Sequence, residues 1–248
     1  MPAILFEHVT KKFRRARGGR LLRGHLARLV KRGATPPGAA LLAVDDVSFS
    51  VEHSHSVALI GANGAGKTTV LSLVAGLAEP DAGRIRVEGR VAALMELGSG
   101  FHPELTGLEN ARLNGALLGL SRRRTEELLP RIVDFSGIGD AATQPIRTYS
   151  SGMLMRLAFS VAVNVEPDIL LIDEVLAVGD EAFRERCFDK LHQFRREGRT
   201  MLCVSHDPAL LAAVCDDAIW INRGRLRMRG PLREVHDAYE REKAAQPA

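Results

Sequence analysis

The sequence predicts an α/β fold: a mixed, largely parallel sheet covered by helices on both faces, with a helical block inserted into it. Three observations carry this expectation. Short apolar runs at 57–60, 169–172 and 200–204 read as buried strands, and helical stretches separate them. Helices between buried strands imply parallel pairing with both sheet faces covered. From about residue 104 to 165 the periodicity is mostly helical, broken near Gly137-Ile138-Gly139, and it interrupts the strand order.

In chain order, Ile4-Leu5-Phe6-Glu7-His8-Val9 reads as a first strand. Ala43-Val44-Asp45-Asp46-Val47-Ser48-Phe49-Ser50-Val51 alternates as a second. Between them a basic stretch, residues 14–40, ends in the breakers Gly33-Ala34-Thr35-Pro36-Pro37-Gly38. Arg84-Ile85-Arg86-Val87 follows the turn Pro80-Asp81-Ala82-Gly83. A charged helix spans the region from Glu181 to Arg196. Residues 218–221 and 225–228 flank Asn222-Arg223-Gly224 as a hairpin. The whole chain reads as one domain: a core of about 1–92 and 166–248, and a helical subdomain of about 93–165.

Gly61-Ala62-Asn63-Gly64-Ala65-Gly66-Lys67-Thr68 fits G-x-x-x-x-G-K-[ST] at every fixed position. The strand Val57-Ala58-Leu59-Ile60 precedes it, and a helix from Thr69 to Leu77 follows. Glycines let backbone N–H groups turn inward, and the helix N-terminus adds positive potential, so such a loop cradles phosphates. Lys67 is expected on the β- and γ-phosphates and the Thr68 hydroxyl on Mg²⁺, with Gly61, Asn63, Gly64, Ala65, Gly66 and Thr69 completing the cradle. The core is therefore that of a P-loop NTPase (RecA-like). Ile169-Leu170-Leu171-Ile172 ends in Asp173-Glu174, which places one carboxylate to hold Mg²⁺ and the next to polarise the water attacking the γ-phosphate.

Two further features narrow the family. Tyr149-Ser150-Ser151-Gly152-Met153, with Arg156 beyond it, lies about twenty residues before Asp173, and Val204-Ser205-His206-Asp207 puts a histidine after a buried strand. In this order and spacing they resemble the ATP-binding cassette (ABC) ATPases over essentially the whole chain. The resemblance implies a head-to-tail homodimer holding two ATP molecules. Ser150, Ser151 and Gly152 of one chain would contact the γ-phosphate held by Lys67 of the other. His206 would hold the attacking water with Glu174, Asp180 would sit across the dimer seam, and Phe13 falls where the family stacks an aromatic on adenine. The family's Leu-Ser-Gly-Gly-Gln signature and its metal-linking Gln are absent; Glu96 is the nearest match to the latter and a candidate Mg²⁺ ligand.

The 94–107 segment and the 149–153 signature look like the ABC ATPases that export lipid-linked polysaccharides: O-antigen, capsule and teichoic acid. That likeness implies an integral membrane permease in two copies, a lipid-linked polysaccharide substrate, and a place on the cytoplasmic face of the bacterial cytoplasmic membrane. Exporters of another cargo, lipid or drug, and a soluble ABC ATPase acting on nucleic acid or ribosomes are the alternatives. The sequence ends at Ala248 without the carbohydrate-binding domain that some such exporters carry, so recognition of the glycan end is expected elsewhere.

Composition agrees with a globular chain: 46% apolar residues, 5% aromatics, and no uncharged apolar run of 18 or more. Cys187, Cys203 and Cys215 show no metal or disulfide spacing and are expected as buried reduced thiols. The net charge of +4 hides an asymmetry. Ten basic side chains lie between Lys11 and Arg32, and no acidic residue falls between Glu7 and Asp45. Leu22, Leu26, Leu29 and Val30 give that stretch an apolar stripe. Three readings stand: anionic lipid headgroups or lipid-linked pyrophosphate on its basic face, nucleic acid, or a solvated loop. The first is favoured and no nucleic acid is expected, because nearby aromatics for base stacking are absent.

Overall fold

The structure, a computed structural model, describes residues 1–14, 40–173, 180–205 and 207–245. Among these residues the chain builds two sheets. β1 (Ile4–Arg14) pairs antiparallel with β2 (Ala40–Val51) and β4 (Ala82–Val87), in the order β2-β1-β4. The large sheet has the order β5-β6-β7-β3-β8-β9, from β3 (Ser56–Ile60), β5 (Val91–Ala93), β6 (Ile169–Asp173), β7 (Thr200–Val204), β8 (Asp217–Asn222) and β9 (Arg225–Pro231). All its pairs are parallel except β8–β9, the predicted hairpin. Arg223 and Gly224 in that turn both have positive φ, the twist a two-residue hairpin loop requires.

The fold class is the expected one, but the first strands do not join the large sheet. They form the separate antiparallel layer, and helix α1 (Lys67–Val74) packs between, touching β2 and β4 on one side and β6 and β7 on the other. Strand alternation explains how one sheet serves two cores. Ile169, Leu171, Leu202 and Ile219 face α1 and the small sheet, where Phe6 stacks on Phe49 with ring centroids 4.4 Å apart. Leu170, Ile172, Met201 and Trp220 face the opposite way, toward the remaining helices.

β1 and β2 run further than their apolar patterns suggest. Arg14 and Ala40, the limits of the expected basic insert, close the β1–β2 ladder. The rest of that insert, with its lipid-headgroup reading, lies outside the described residues, as do Glu174 and His206. The Glu181–Arg196 helix, α5, appears with the bounds its charge pattern marks.

Helices α2 (Gly107–Leu117), α3 (Arg122–Ser136) and α4 (Ser151–Asn164) lie between β5 and β6 in sequence. α2 starts at a capping box: Glu109 N donates to Thr106 Oγ1, and Thr106 N donates to the Glu109 carboxylate at 2.8 Å. That backbone N–H holds the Glu109 carboxyl below the usual range. Gly137 ends α3 in the left-handed conformation at φ 61°. Asn110, wholly buried, accepts from His102 N at 2.6 Å and donates to the carbonyls of His102, Leu105 and Thr106. The 103–106 stretch is in turn bonded to the one just before Ser150, through Ile146 N to Leu105 O and Arg147 N to Pro103 O. Two more helices, the short α6 (Pro208–Val214) and α7 (Leu232–Ala245), complete the described elements.

Truncating Asn110 removes the acceptor of His102 N and the amide donor to three loop carbonyls at a wholly buried position, so Asn110→Ala is expected to lower unfolding free energy by about 1–3 kcal/mol. Urea denaturation measures it; an unchanged midpoint would show that other contacts hold the 102–106 loop.

Candidate nucleotide-binding site

β3, buried at every residue, delivers the chain into the glycine loop. Two glycines fix the loop between the sheets. Gly66 has φ 110°, and a Cβ there would run into the main-chain oxygen of Ala43 on β2. Gly61 has φ 147°, and a Cβ would meet the main-chain oxygen of Ile221 on β8. Only glycine satisfies both the conformation and the approach. Gly224 completes the seam: its N–H donates to Ala65 O at 2.8 Å, and its carbonyl accepts from Asp45 N at 2.8 Å. α1 then opens at Lys67 with no acidic residue in its own first turn, and its positive end faces the loop.

Lys67 is only 8% exposed. Its ammonium donates to the carbonyls of Gly61, at 2.7 Å, and Ala62, at 3.1 Å, and so lies folded along its own loop. A phosphate oxygen seated there offers a charged acceptor in place of neutral carbonyls, and a charge-assisted bond is the stronger one. Thr68 Oγ1 donates to Asp173 Oδ2 at 3.4 Å, joining the start of α1 to the end of β6. A hydroxyl and a carboxylate are the hard oxygen ligands Mg²⁺ takes, and adjacent ligands of its octahedron stand about 3 Å apart. The pair fits that ion.

Phe13 is 43% exposed, with Lys11 Nζ 5.5 Å from its ring centroid. It shares one concavity of about 360 Å³ with Leu41, Leu42 and Ala43 and with Asn63, Gly64, Gly66, Lys67, Thr68 and Thr69 of the loop. A flat apolar surface beside a phosphate cradle suits a nucleobase. Leu41 and Leu42 were missed in the sequence, where the second strand is read from Ala43. The sequence offers only an apolar pair just before the strand as read; that Leu41 pairs with Phe13 is set by the ladder.

The signature residues stand elsewhere. Ser150 is the N-cap of α4, its Oγ accepting from Met153 N at 3.1 Å, and Ser150, Ser151 and Gly152 are absent from the lining of the concavity. Tyr149 anchors the segment by donating to Ala141 O at 2.6 Å, and burial pushes its phenol up, so it stays a donor. Asp180 caps α5: its Oδ1 accepts from Phe183 N at 2.9 Å, and its Oδ2 lies 3.3 Å from Arg156 Nη1. Glu96 ends a short 3₁₀ turn, Leu94–Glu96, after β5; its side chain is outside the described residues. Ser205, next to His206, lines a smaller cavity of about 110 Å³ together with Gly61, Lys67 and the α7 residues His236 and Tyr239. No motif marks α7, so the sequence alone does not bring it to the loop.

The comparisons agree with this geometry. A family profile described as ABC transporter matches residues 44–177. An O-antigen export system ATP-binding protein, RfbB, of Klebsiella pneumoniae is 47% identical over 96% of this chain and 98% of its own length. A teichoic acids export ATP-binding protein, TagH, of Bacillus anthracis is 37% identical over 96% of this chain and 42% of its own length. Among solved structures, a dimeric ATP-binding cassette in a post-hydrolysis state bound to ADP and Pi superposes with TM-score 0.69 at 19% identity, covering 92% of this chain and 98% of that one, and shares the fold. Glycine loop, buried lysine, the Thr68–Asp173 pair and end-to-end likeness converge: the chain belongs to the ABC transporter family and is an ATP-binding, ATP-hydrolysing cassette.

Proposed function

We propose that this chain is the ATPase subunit of an exporter of lipid-linked cell-surface polysaccharide, acting as a head-to-tail homodimer beneath a membrane permease on the cytoplasmic face of the cytoplasmic membrane. The ATPase chemistry rests on the meeting of Lys67, Thr68 and Asp173 at the mouth of the glycine loop. The cargo rests on full-length likeness to an O-antigen export protein and partial likeness to a teichoic acid one. No helix among the described residues is long and apolar enough to cross a membrane, so membrane attachment would run through the permease.

In this reading the loop N–H groups and Lys67 hold the β- and γ-phosphates, Phe13 backs the base, and Thr68 and Asp173 carry Mg²⁺. Glu174 and His206 align the water, with Glu96 a further candidate for the metal. The two-chain site is supported by what one chain leaves undone. Ser150 and Ser151 are exposed at a helix N-terminus, a ready anion cradle, yet they do not line the nucleotide concavity. A second chain turned head-to-tail brings them to the far side of the γ-phosphate. ATP favours the closed pair and hydrolysis releases it, which is all that is needed to drive a permease between states. The core of about 1–92 and 166–248 carries the phosphate loop; the helical subdomain of about 93–165 carries the signature.

A groove of about 380 Å³ supports a permease site. Leu77, Leu97, Gly98, Ser99, Gly100, Leu117, Ala158 and Ala162 are among its lining, which holds no charged residue among the described side chains. Leu77 and Leu117 are 50% and 66% exposed. Such a trough suits the apolar face of a short helix from the permease.

Lys67→Ala is expected to lower the turnover rate by about a hundredfold or more. Asp173→Asn should raise the Mg²⁺ concentration needed for half-maximal turnover roughly tenfold or more. Phosphate-release assays across a Mg²⁺ titration read both, and an unaltered Mg²⁺ dependence would remove Asp173 from the metal. The exporter reading is tested by purifying Glu174→Gln from detergent-solubilised host membranes. Co-purification of a polytopic permease, lost on Leu117→Asp, is expected; recovery of ribosomal proteins or nucleic acid in its place would overturn the function.

A further inference from the structure

The guanidinium of Arg156, two turns into α4, makes three directed contacts. Nε donates to Ser136 O at 2.8 Å, Nη2 donates to Gly137 O at 2.8 Å, and Nη1 meets Asp180 Oδ2 at 3.3 Å. The cation lies 5.5 Å from the Phe183 ring centroid. Ser136 and Gly137 end α3, so the positive charge also sits at the negative end of a helix. Below it, Phe183 packs edge-on against Phe135 of α3 and Phe159 of α4, at 5.9 Å in each case. Three elements thus meet at one side chain: the end of α3, the signature helix, and the Asp180 cap of α5.

Asp180 divides its two oxygens between these tasks. Oδ1 caps α5, while Oδ2 faces Arg156. The Asp180 side chain is 64% exposed, and an ion pair so exposed adds little to stability. What the fork does supply is direction, because a planar guanidinium holds its partners at fixed angles as an ammonium cannot.

We propose that Arg156 is a positioning residue for hydrolysis. It locks the Asp180 carboxylate to the signature helix, so that when residues 150–152 seat on the ATP of the facing chain, Asp180 is carried to a set place in the seam. This rests on the two-chain site proposed above. Arg156 touches no nucleotide in this scheme; it acts through Asp180.

The test is a double-mutant cycle on the full chain, with Arg156→Lys, which keeps the charge and loses the fork, and Asp180→Asn, which keeps a capping oxygen and loses the charge. Each single variant is expected to lower kcat by between about tenfold and a hundredfold, with KM for ATP within about twofold and the melting temperature nearly unchanged. The double variant should be no slower than the slower single. Multiplying effects, a wild-type kcat in Arg156→Lys, or a loss of kcat that only tracks a loss of melting temperature would each overturn the proposal. ATP-induced dimerisation of Glu174→Gln, measured in parallel, separates the two levels. Dimerisation with multiplying effects overturns the clamp alone; absence of dimerisation overturns the clamp and the two-chain site together.

Discussion

The structure depends first on a close three-way approach of backbone. The phosphate loop passes between the Ala43 carbonyl of the small sheet and the Ile221 carbonyl of the large one, at two positions with no room for a Cβ. Gly224, in the β8–β9 turn, bonds to both Ala65 and Asp45 and closes the same seam. Because the loop is gripped from both sides, its N–H groups need not be ordered when a triphosphate arrives, and that prepaid order is what gives a phosphate cradle its strength. The separate antiparallel layer then has a purpose beyond covering α1. It supplies one jaw of the grip, and from its far end it presents Phe13, Leu41 and Leu42 beside the loop.

The proposed partner half of the site, the signature, stands on the helices between β5 and β6. The signature begins at a helix cap, and the segment before it is bonded to residues 103–106, which the buried amide of Asn110 holds in place. The groove lies between Leu97, Gly98 and Gly100, just ahead of that stretch in sequence, and Leu117 and Ala162, toward the C-terminal ends of α2 and α4. At the other edge, Arg156 ties the signature helix to Asp180 at the start of α5, the contact on which the proposed positioning of Asp180 rests.

Local signals carried much of this into the sequence. A fixed-spacing motif between a buried strand and a helix marks the glycine loop, an apolar strand ending in acid marks Asp173, and a charged periodic stretch marks α5 with its observed ends. Each is legible because its cause lies within a few residues. What was not legible depends on partners far along the chain. Alternation announces β1 and β2 as strands but does not say that they leave the large sheet, since pairing across some forty residues has no local signature. β5 is three residues long, too short for periodicity to register. Leu41 and Leu42 look like the tail of a basic insert until the ladder sets Leu41 opposite Phe13. Asn110 and Arg156 carry no local signal for the bonds they make, because most of those bonds go to main-chain groups, which every residue has, and Asp180 lies 24 residues beyond Arg156. The separation of Ser150, Ser151 and Gly152 from the Lys67 concavity is a fact of the folded chain. The proposed two-chain site is what would bridge it.

That two-chain site is the central claim, and sedimentation velocity of Glu174→Gln tests it most directly. With ATP and Mg²⁺ the chain should sediment as a dimer, and it should return to monomer when ADP replaces ATP or when Ser151→Glu puts a like charge against the γ-phosphate. A chain that stays monomeric at saturating ATP, or a dimer indifferent to nucleotide and to Ser151→Glu, would contradict the account.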